Sequence, residues 1–467
     1  MKKRETIMSH HKKDFKAPVE KNKTYQGEIS DLTHEGLGVA KLEHYPIFIE
    51  GALIGETIEF KTIKVGKSFG VGRLTKIIDA SPDRVEIKDK AYAQSGTMPL
   101  QHLNYAGQLE FKKTQVENVM HKIAKLPDVP VHNVIGMENP FSYRNKAQIP
   151  VRKIKGKLET GVYRKNSHDL IPMEDFKIQD PEIDKAIVTV RDIMRTYGIK
   201  PYNEKDNTGN LRHILVRRGY HTEEMMIVLV TRTPKLFPIS KIVPDILEEL
   251  PNVVSIVQNV NPKKTNVILG KEVIMLHGED KYHDKLLDHT FEISHRSFFQ
   301  VNTSQAEVLY SKVIEFAELT GEETVIDAYS GIGTITLALA EKAKEVYGIE
   351  IIEPAVEDAK RNAALNGVEN VTYQVGAAEG VMHEWSKEGR SADLVVVDPP
   401  RKGLDQQFID AVLEMQPKKM IYVSCNPATL ARDLALLVEG GYTAEKVQPV
   451  DMFPQTSHIE SVTLLTR

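Results

Sequence analysis

The stretch Ala392 to Leu430, ADLVVVDPPRKGLDQQFIDAVLEMQPKKMIYVSCNPATL, decides the fold class. Two apolar β-branched runs, Leu394 to Val397 and Met420 to Val423, each end in a proline-containing loop, and Phe408, Ile409, Val412 and Leu413 fall at helical spacing between them. This is a strand, helix, strand unit. Neither run has a polar face, so both predict parallel strands buried on two sides, and ligands bind beyond the carboxyl ends of such strands. Asp398 and Cys425 occupy those ends. A lone cysteine is ordinarily a small buried hydrophobe. Cys425, the single cysteine of the chain, instead follows Ser424 and precedes Asn426-Pro427 at a strand end, where a side chain faces a crevice. A helix beginning near Ala428 is expected to lower the thiol pKa through its N-terminal amides, which makes Cys425 a candidate nucleophile.

At 467 residues with 41% hydrophobic content, the chain is long enough for two or three domains with substantial cores. One cysteine excludes an internal disulfide and any multi-cysteine metal or iron–sulfur site, and suits a reducing compartment. No apolar run reaches membrane-spanning length and the basic amino terminus lacks the apolar core of a signal peptide, so a soluble cytoplasmic protein is expected. The net charge of −4 conceals a division. Residues 290–467 carry 15 lysines and arginines against 27 acids, net −12, which leaves 46 against 38, net +8, in residues 1–289. The amino-terminal part is therefore the expected polyanion binder.

In chain order, residues 1–18 form a basic tail with almost no apolar periodicity, either a solubilising terminus or an RNA-contacting arm. Residues 19–79 show short alternating strands punctuated by glycine, the pattern of a small closed β-barrel. Lys61, Lys64, Lys67 and Arg73 would give that barrel a basic side, with Phe69 as a stacking candidate. Residues 80–130 are expected to be a linker with a helix, and residues 131–288 an α+β domain with a helix from about Pro181 to Tyr197. Between Arg144 and Lys165 eight basic residues face Glu159 alone. With Tyr143 and Tyr163 this ribbon reads as an RNA platform; the bland alternative is a set of solvated edge-strand lysines.

Residues 289–467 carry the nucleotide-binding pattern. After a helix with an N-cap at Asn302 or Thr303, the strand Thr324 to Asp327 runs into Gly331-Ile332-Gly333, a glycine turn that lets backbone approach a ligand. Glu350 ends the next strand 19 residues after Gly331, the place of an acid that accepts from ribose hydroxyls. NAD and S-adenosylmethionine sites share these features. The carboxyl-terminal segments TAEKVQPVDMF and HIESVTLLTR, read as a hairpin closed by a short turn and adding an antiparallel strand to a parallel sheet, favour the methyltransferase over the dehydrogenase.

At this point a resemblance becomes specific. The segment from Gly27 to Lys61 resembles the TRAM domain, an OB-like barrel found on RNA-modifying enzymes. FFQVN, DAYSGIGT, GIE, DPPRKG, VSCNPATLARDL and FPQTSHIESV, in that order, resemble the RNA uracil-5-methyltransferase family, most closely its bacterial 23S rRNA members of the Gram-positive type that modifies two uridines. The resemblance implies an α/β multidomain chain: an OB-like barrel, a central α+β RNA-binding domain and a Rossmann-like S-adenosylmethionine-dependent methyltransferase domain. It implies that Cys425 adds to carbon 6 of uracil and that Glu460 removes the carbon 5 proton. It further assigns Gln300, Tyr329, Glu350 and Asp398 to the cofactor, and Phe298 and Asp398 to the flipped target base. Arg401 reads as structural or phosphate-binding, and Ala377 stands where relatives carry a cofactor-binding asparagine.

The chain departs from many relatives in one respect. KDKAYAQSGTMPLQHL, residues 88–103, has none of the cluster cysteines, so no iron–sulfur cluster or other metal is expected, and packing around Tyr92, Met98 and Leu100 is the expected replacement. The expected partner is 23S rRNA and the expected state a monomer without membrane attachment. A tRNA uracil-5-methyltransferase and a catalytically silent RNA-binding or ribosome assembly factor are the alternatives.

Overall fold

A computed structural model describes residues 17–87 and 90–467, in two compact units taken separately below. The basic tail expected over residues 1–18 lies outside the described residues except for Ala17 and Pro18.

The first unit, residues 1–88 with 99–107, contains a closed five-stranded barrel. Its strands are β1 (Thr24–Leu32), β2 (Gly38–Leu42), β3 (Tyr45–Glu50), β4 (Thr57–Val65) and β5 (Gly70–Asp79), in spatial order β1-β2-β3-β5-β4 with β4 pairing back to β1. Alternation sends Ile29, Ala40, Ile47, Ile49, Ile58 and Phe60 inward, all fully buried. Gly72 is required by that filling, because a Cβ there would lie 2.8 Å from the Phe60 ring. Lys64, Lys67 and Arg73 are exposed, Lys61 is half-buried, and Phe69 is partly exposed with its ring 5.3 Å from that of Phe48.

The second unit holds residues 89–98 and 108–467. After α1 (Lys90–Ser95) and α2 (Tyr105–Val119) comes a seven-stranded sheet, order β12-β11-β10-β9-β6-β7-β8. Its strands are β6 (Lys146–Ile154), β7 (Lys157–Tyr163), β8 (Leu170–Pro172), β9 (Leu211–Arg218), β10 (Met225–Thr231), β11 (Val253–Val260) and β12 (Glu272–Gly278). Helix α3 (Pro181–Thr196), N-capped by the Asp180 side chain, and α4 (Ile239–Glu249) pack into the same core as this sheet, with Tyr92 and Met98. Leu100 belongs to the first unit, where it packs against Gly36. The hairpin β13 (Tyr282–Leu286) and β14 (His289–Ile293) spans the expected boundary at residue 288.

The remaining elements are α5 (Thr303–Ala317), β15 (Thr324–Ala328), α6 (Thr334–Ala340), β16 (Glu345–Glu350), α7 (Glu353–Leu365), β17 (Val371–Val375), α8 (Ala378–Lys387), β18 (Leu394–Val397), α9 (Gln406–Met415), β19 (Lys419–Ser424), α10 (Pro427–Glu439), β20 (Thr443–Val450) and β21 (Glu460–Thr466). The sheet order is β17-β16-β15-β18-β19-β21-β20, parallel except for the last hairpin. Val325, Leu394, Val396 and Val423 pack on one face, while Ile326, Val395, Val397 and Tyr422 pack on the other. Two-sided burial explains the unbroken apolar runs, and each such side chain contributes about 1.5–3 kcal/mol. The chain leaves β15 on one side for β16 and returns on the other as β18, which places a switch-point crevice at the strand ends.

One expectation needs correction. The last hairpin is closed by nine residues, 451–459, and not by a short turn. The loop is fixed by polar side chains of distant elements: Lys112 Nζ of α2 reaches Asp451 Oδ1 at 2.5 Å and the Phe453 carbonyl at 3.0 Å. Gln108 accepts from Gln455 N, Tyr143 donates to the Pro454 carbonyl, and Asn302 donates to the Met452 carbonyl. Both members of the Lys112–Asp451 pair are fully buried. Lys112→Met is therefore expected to cost about 3–5 kcal/mol, because it strands a buried carboxylate. Adding Asp451→Asn should recover much of that loss. Chemical denaturation checks both, and a loss below about 1 kcal/mol for the single variant would show that the pair is not a stability determinant.

Candidate active site

A cavity of 760 Å³ lies at the switch point, and all seven residues singled out in the sequence line it: Phe298, Gln300, Tyr329, Glu350, Asp398, Cys425 and Glu460. The glycine turn forms one wall. Tyr329 has φ +78°, a left-handed conformation costly for an aromatic residue, and its N–H donates to the Ile349 carbonyl at 2.9 Å. Gly331, also at positive φ, has open space where a Cβ would stand. Glu350 Oε2 accepts from Gly331 N at 3.1 Å and its Oε1 from Ile352 N at 2.9 Å, so the carboxylate is oriented by backbone before any ligand arrives. Ile351, 66% exposed, presents an apolar surface to the same cavity.

The opposite wall is built from two interlocked loops. Asn426 donates to the Arg401 carbonyl at 3.0 Å, and Arg432 donates to the Lys402 carbonyl at 2.9 Å. Asp433 Oδ2 accepts from both Leu404 N and the Tyr422 hydroxyl at 2.8 Å. The loop after β18 and the loop after β19 therefore move as one piece, which fixes Asp398 relative to Cys425. Glu460, 5% exposed, begins β21 and reaches the cavity from the strand beside β19. Phe298 stands at the cavity 72% exposed, an unusual place for a large apolar ring. Gln300 is buried and lines the cavity.

Electrostatics differ from the sequence expectation. Burial, then Glu460, then Asp398 push the Cys425 thiol up to about 11, with Arg401 opposing. The amides expected to lower it are already used: Pro427 has no N–H, and Asn426 Oδ1 caps α10 by accepting from Ala428 N at 3.1 Å. Burial first and Asp398 second hold the Glu460 carboxyl well above the usual range, again against Arg401. Asp398 is raised by burial and then by Asp327. Burial thus favours the neutral forms of Cys425, Asp398 and Glu460.

Several lining residues escaped the sequence reading. Arg144, placed there in the RNA-facing ribbon, instead reaches this cavity, as do Phe453, Thr456 and His458 of the 451–459 loop. Arg401 has a structural part: its carbonyl ties the loops together, and its guanidinium stands 3.4 Å from the His458 ring. Ala377 lines the cavity beside Gly376 and Ala378, although it lacks the amide seen in relatives. The contact of His458 with Arg401 depends on bringing FPQTSH and DPPR together in space, which no spacing rule reports.

The donor set fits S-adenosylmethionine. A backbone-oriented carboxylate at the second strand end suits ribose hydroxyls, an exposed isoleucine beside it suits an adenine face, and carboxyl groups suit a sulfonium-bearing amino acid. Among the described residues no cluster of His, Cys, Asp and Glu is arranged to hold a metal ion, and no helix is long and apolar enough to cross a membrane.

Comparison with known proteins agrees with this geometry. The sequence model of the tRNA (Uracil-5-)-methyltransferase family matches residues 104–467. An RNA methyltransferase of Enterococcus faecalis, described as uncharacterized, is 65% identical over 96% of this chain and 98% of its own length. One from Bacillus cereus, described in the same words, is 52% identical with the same coverage. The crystal structure of Pyrococcus abyssi tRNA (uracil-54, C5)-methyltransferase with S-adenosyl-L-homocysteine is 29% identical, with a TM-score of 0.78 over 95% of this chain and all of that one. The chain belongs to the RNA uracil-5-methyltransferase family and is an S-adenosylmethionine-dependent RNA methyltransferase.

Proposed function

We propose that this enzyme methylates carbon 5 of uridine in 23S rRNA, with Cys425 as nucleophile and Glu460 as base. The observation that carries the reading is the convergence of Cys425, Glu460, Asp398, Gln300 and the exposed Phe298 on one cavity. Carbon 5 of uracil is a weak nucleophile. Addition of the Cys425 thiolate to carbon 6 turns the ring into an enolate that can attack from carbon 5. S-adenosylmethionine supplies the electrophilic methyl group, and Gln300, Tyr329, Glu350 and Asp398 are the residues that would hold it. Glu460 then takes the proton from the methylated carbon 5; the electron pair of that C–H bond restores the ring double bond and expels the Cys425 sulfur. Burial makes Glu460 a strong base once ionised, and Phe298 is placed to pack against a base drawn out of its stack.

The barrel, which resembles the TRAM domain, and the likeness of the whole motif series to bacterial 23S rRNA members of the family support 23S rRNA; a single cysteine suits a reducing, cytoplasmic setting. The likeness to a tRNA enzyme of Pyrococcus abyssi favours a second reading, tRNA as substrate. Fluorine at carbon 5 cannot leave as a proton does, so 23S rRNA fragments carrying 5-fluorouridine should form a denaturant-stable complex with the protein in the presence of the cofactor. Cys425→Ala should abolish the band. A band on tRNA alone would establish the second reading, and none on either RNA would leave an RNA-binding protein. Glu460→Gln is expected to slow product formation about 10²–10⁴-fold and to trap the adduct on ordinary uridine.

The thiol environment gives a further prediction. Iodoacetamide modification of Cys425, the single cysteine, should still climb about tenfold per pH unit near pH 10 in the free protein, because the thiolate forms only toward about 11. Glu460→Gln removes a charge that raises the thiol pKa and should move the curve to lower pH; Arg401→Ala should move it higher. A plateau reached by pH 9 would show that the resting thiol is not suppressed.

A further inference from the structure

A second cavity, of 1040 Å³, lies in the central sheet region and shares no lining residue with the first. It is enclosed by the β6–β7 turn, by residues 168–170 and by the segment that follows α3. Six of its lining residues are lysine or arginine, and the single lining acid is Asp169. Two of the six are committed internally: Arg152 pairs with Glu204, and Arg195 with Glu159 and Asp192. Lys153, Lys157, Lys200 and Lys205 form no ion pair among the described residues, and all four are exposed.

These lysines come from separate segments of chain and converge on one concavity. Lysines that served only to solvate an edge strand would fan outward, and four like charges brought around one opening repel each other unless an anion joins them. The concavity is not merely charged. The half-buried Ile154, Ile199 and Pro201 contribute apolar surface, while the buried Tyr202 ring is covered by the Arg212 guanidinium at 4.4 Å and the Arg152 guanidinium at 5.8 Å. Neighbouring His213 registers the same field: burial first, then Arg152 and Arg212, push it down to about 3.

We infer that this cavity takes one nucleotide of single-stranded RNA away from the target uridine, with its flanking phosphodiesters held by Lys153, Lys157, Lys200 and Lys205 and its base against the half-buried Ile154, Ile199 and Pro201. A volume of 1040 Å³ exceeds what a nucleotide needs, and the pairing of a cationic rim with an apolar wall is the arrangement that binds unpaired nucleic acid. The enzyme would then grip its RNA at two points, and the choice of uridine would depend on the distance between them along the folded RNA. This inference rests on the reading that structured RNA is the substrate.

The test replaces the four exposed lysines by glutamine in the full-length protein. Affinity for a methylatable RNA fragment is measured across a range of salt, together with KM and kcat. The expected result is a salt-dependence slope smaller by about 2–3, from about 0.7 per single-stranded phosphate contact, and a KM raised on the order of 10–100-fold with kcat at saturating RNA unchanged. The corresponding four-arginine variant should bind as the parent does. Unchanged slope and KM in the glutamine variant would overturn the inference, as would competition for RNA binding by millimolar inorganic phosphate or uridine monophosphate alone, which would assign the cavity to a free anion. The covalent fluorouridine adduct, assayed on the same proteins at saturating RNA, reports the uridine chemistry separately, so its failure is distinguishable from the failure of the second site.

Discussion

The buried pair between Lys112 and Asp451 carries more of this structure than its two charges suggest. Two ions taken out of water lose hydration that only close contact and further hydrogen bonds offset, so such a pair tolerates few geometries. Burial lowers the lysine pKa while Asp451 opposes the shift, and the ammonium also binds the Phe453 carbonyl. The strand-to-strand connection that delivers Glu460 is thereby nailed to a helix more than three hundred residues earlier in the chain. A nine-residue surface connection is normally the most variable part of a sheet; here it is as fixed as the strands it joins.

The same logic holds across the cavity. Asn426 and Asp433, which look like ordinary cap and helix residues, spend their hydrogen bonds on the loop after β18. DPPRKG and SCNPATLARD are thus two halves of one wall, and the glycine of the first is required because a Cβ at Gly403 would strike the Asp433 carboxylate. The loop ties hold Asp398 and Cys425 in a fixed relation across the cavity before any ligand arrives.

Much of this was legible from sequence because periodicity and strand ends are local properties. Leu394 to Val397 and Met420 to Val423 announce two-sided burial, and a residue directly after such a strand is at the crevice whatever else the fold does. Cys425, Asp398 and Glu350 were placed at the cavity in that way, and Glu460 through the motif around it. What local reading missed depends on distant partners. Arg144 sits in a basic ribbon yet turns into the cavity, and the thiol pKa is set by Glu460, Asp398 and burial, none of which adjoins Cys425 in sequence. The helix that seemed poised to activate the thiol is instead capped by the very next residue.

That cap has a consequence for the chemistry of damage. Oxidation by peroxide requires the thiolate, and the ladder from sulfenic to sulfonic acid begins only where it is populated. A thiol held near 11 in a chain with no second cysteine offers oxidants little at neutral pH and has no internal partner with which to form a disulfide. A sulfur held as the thiol in this way is redox-quiet at neutral pH.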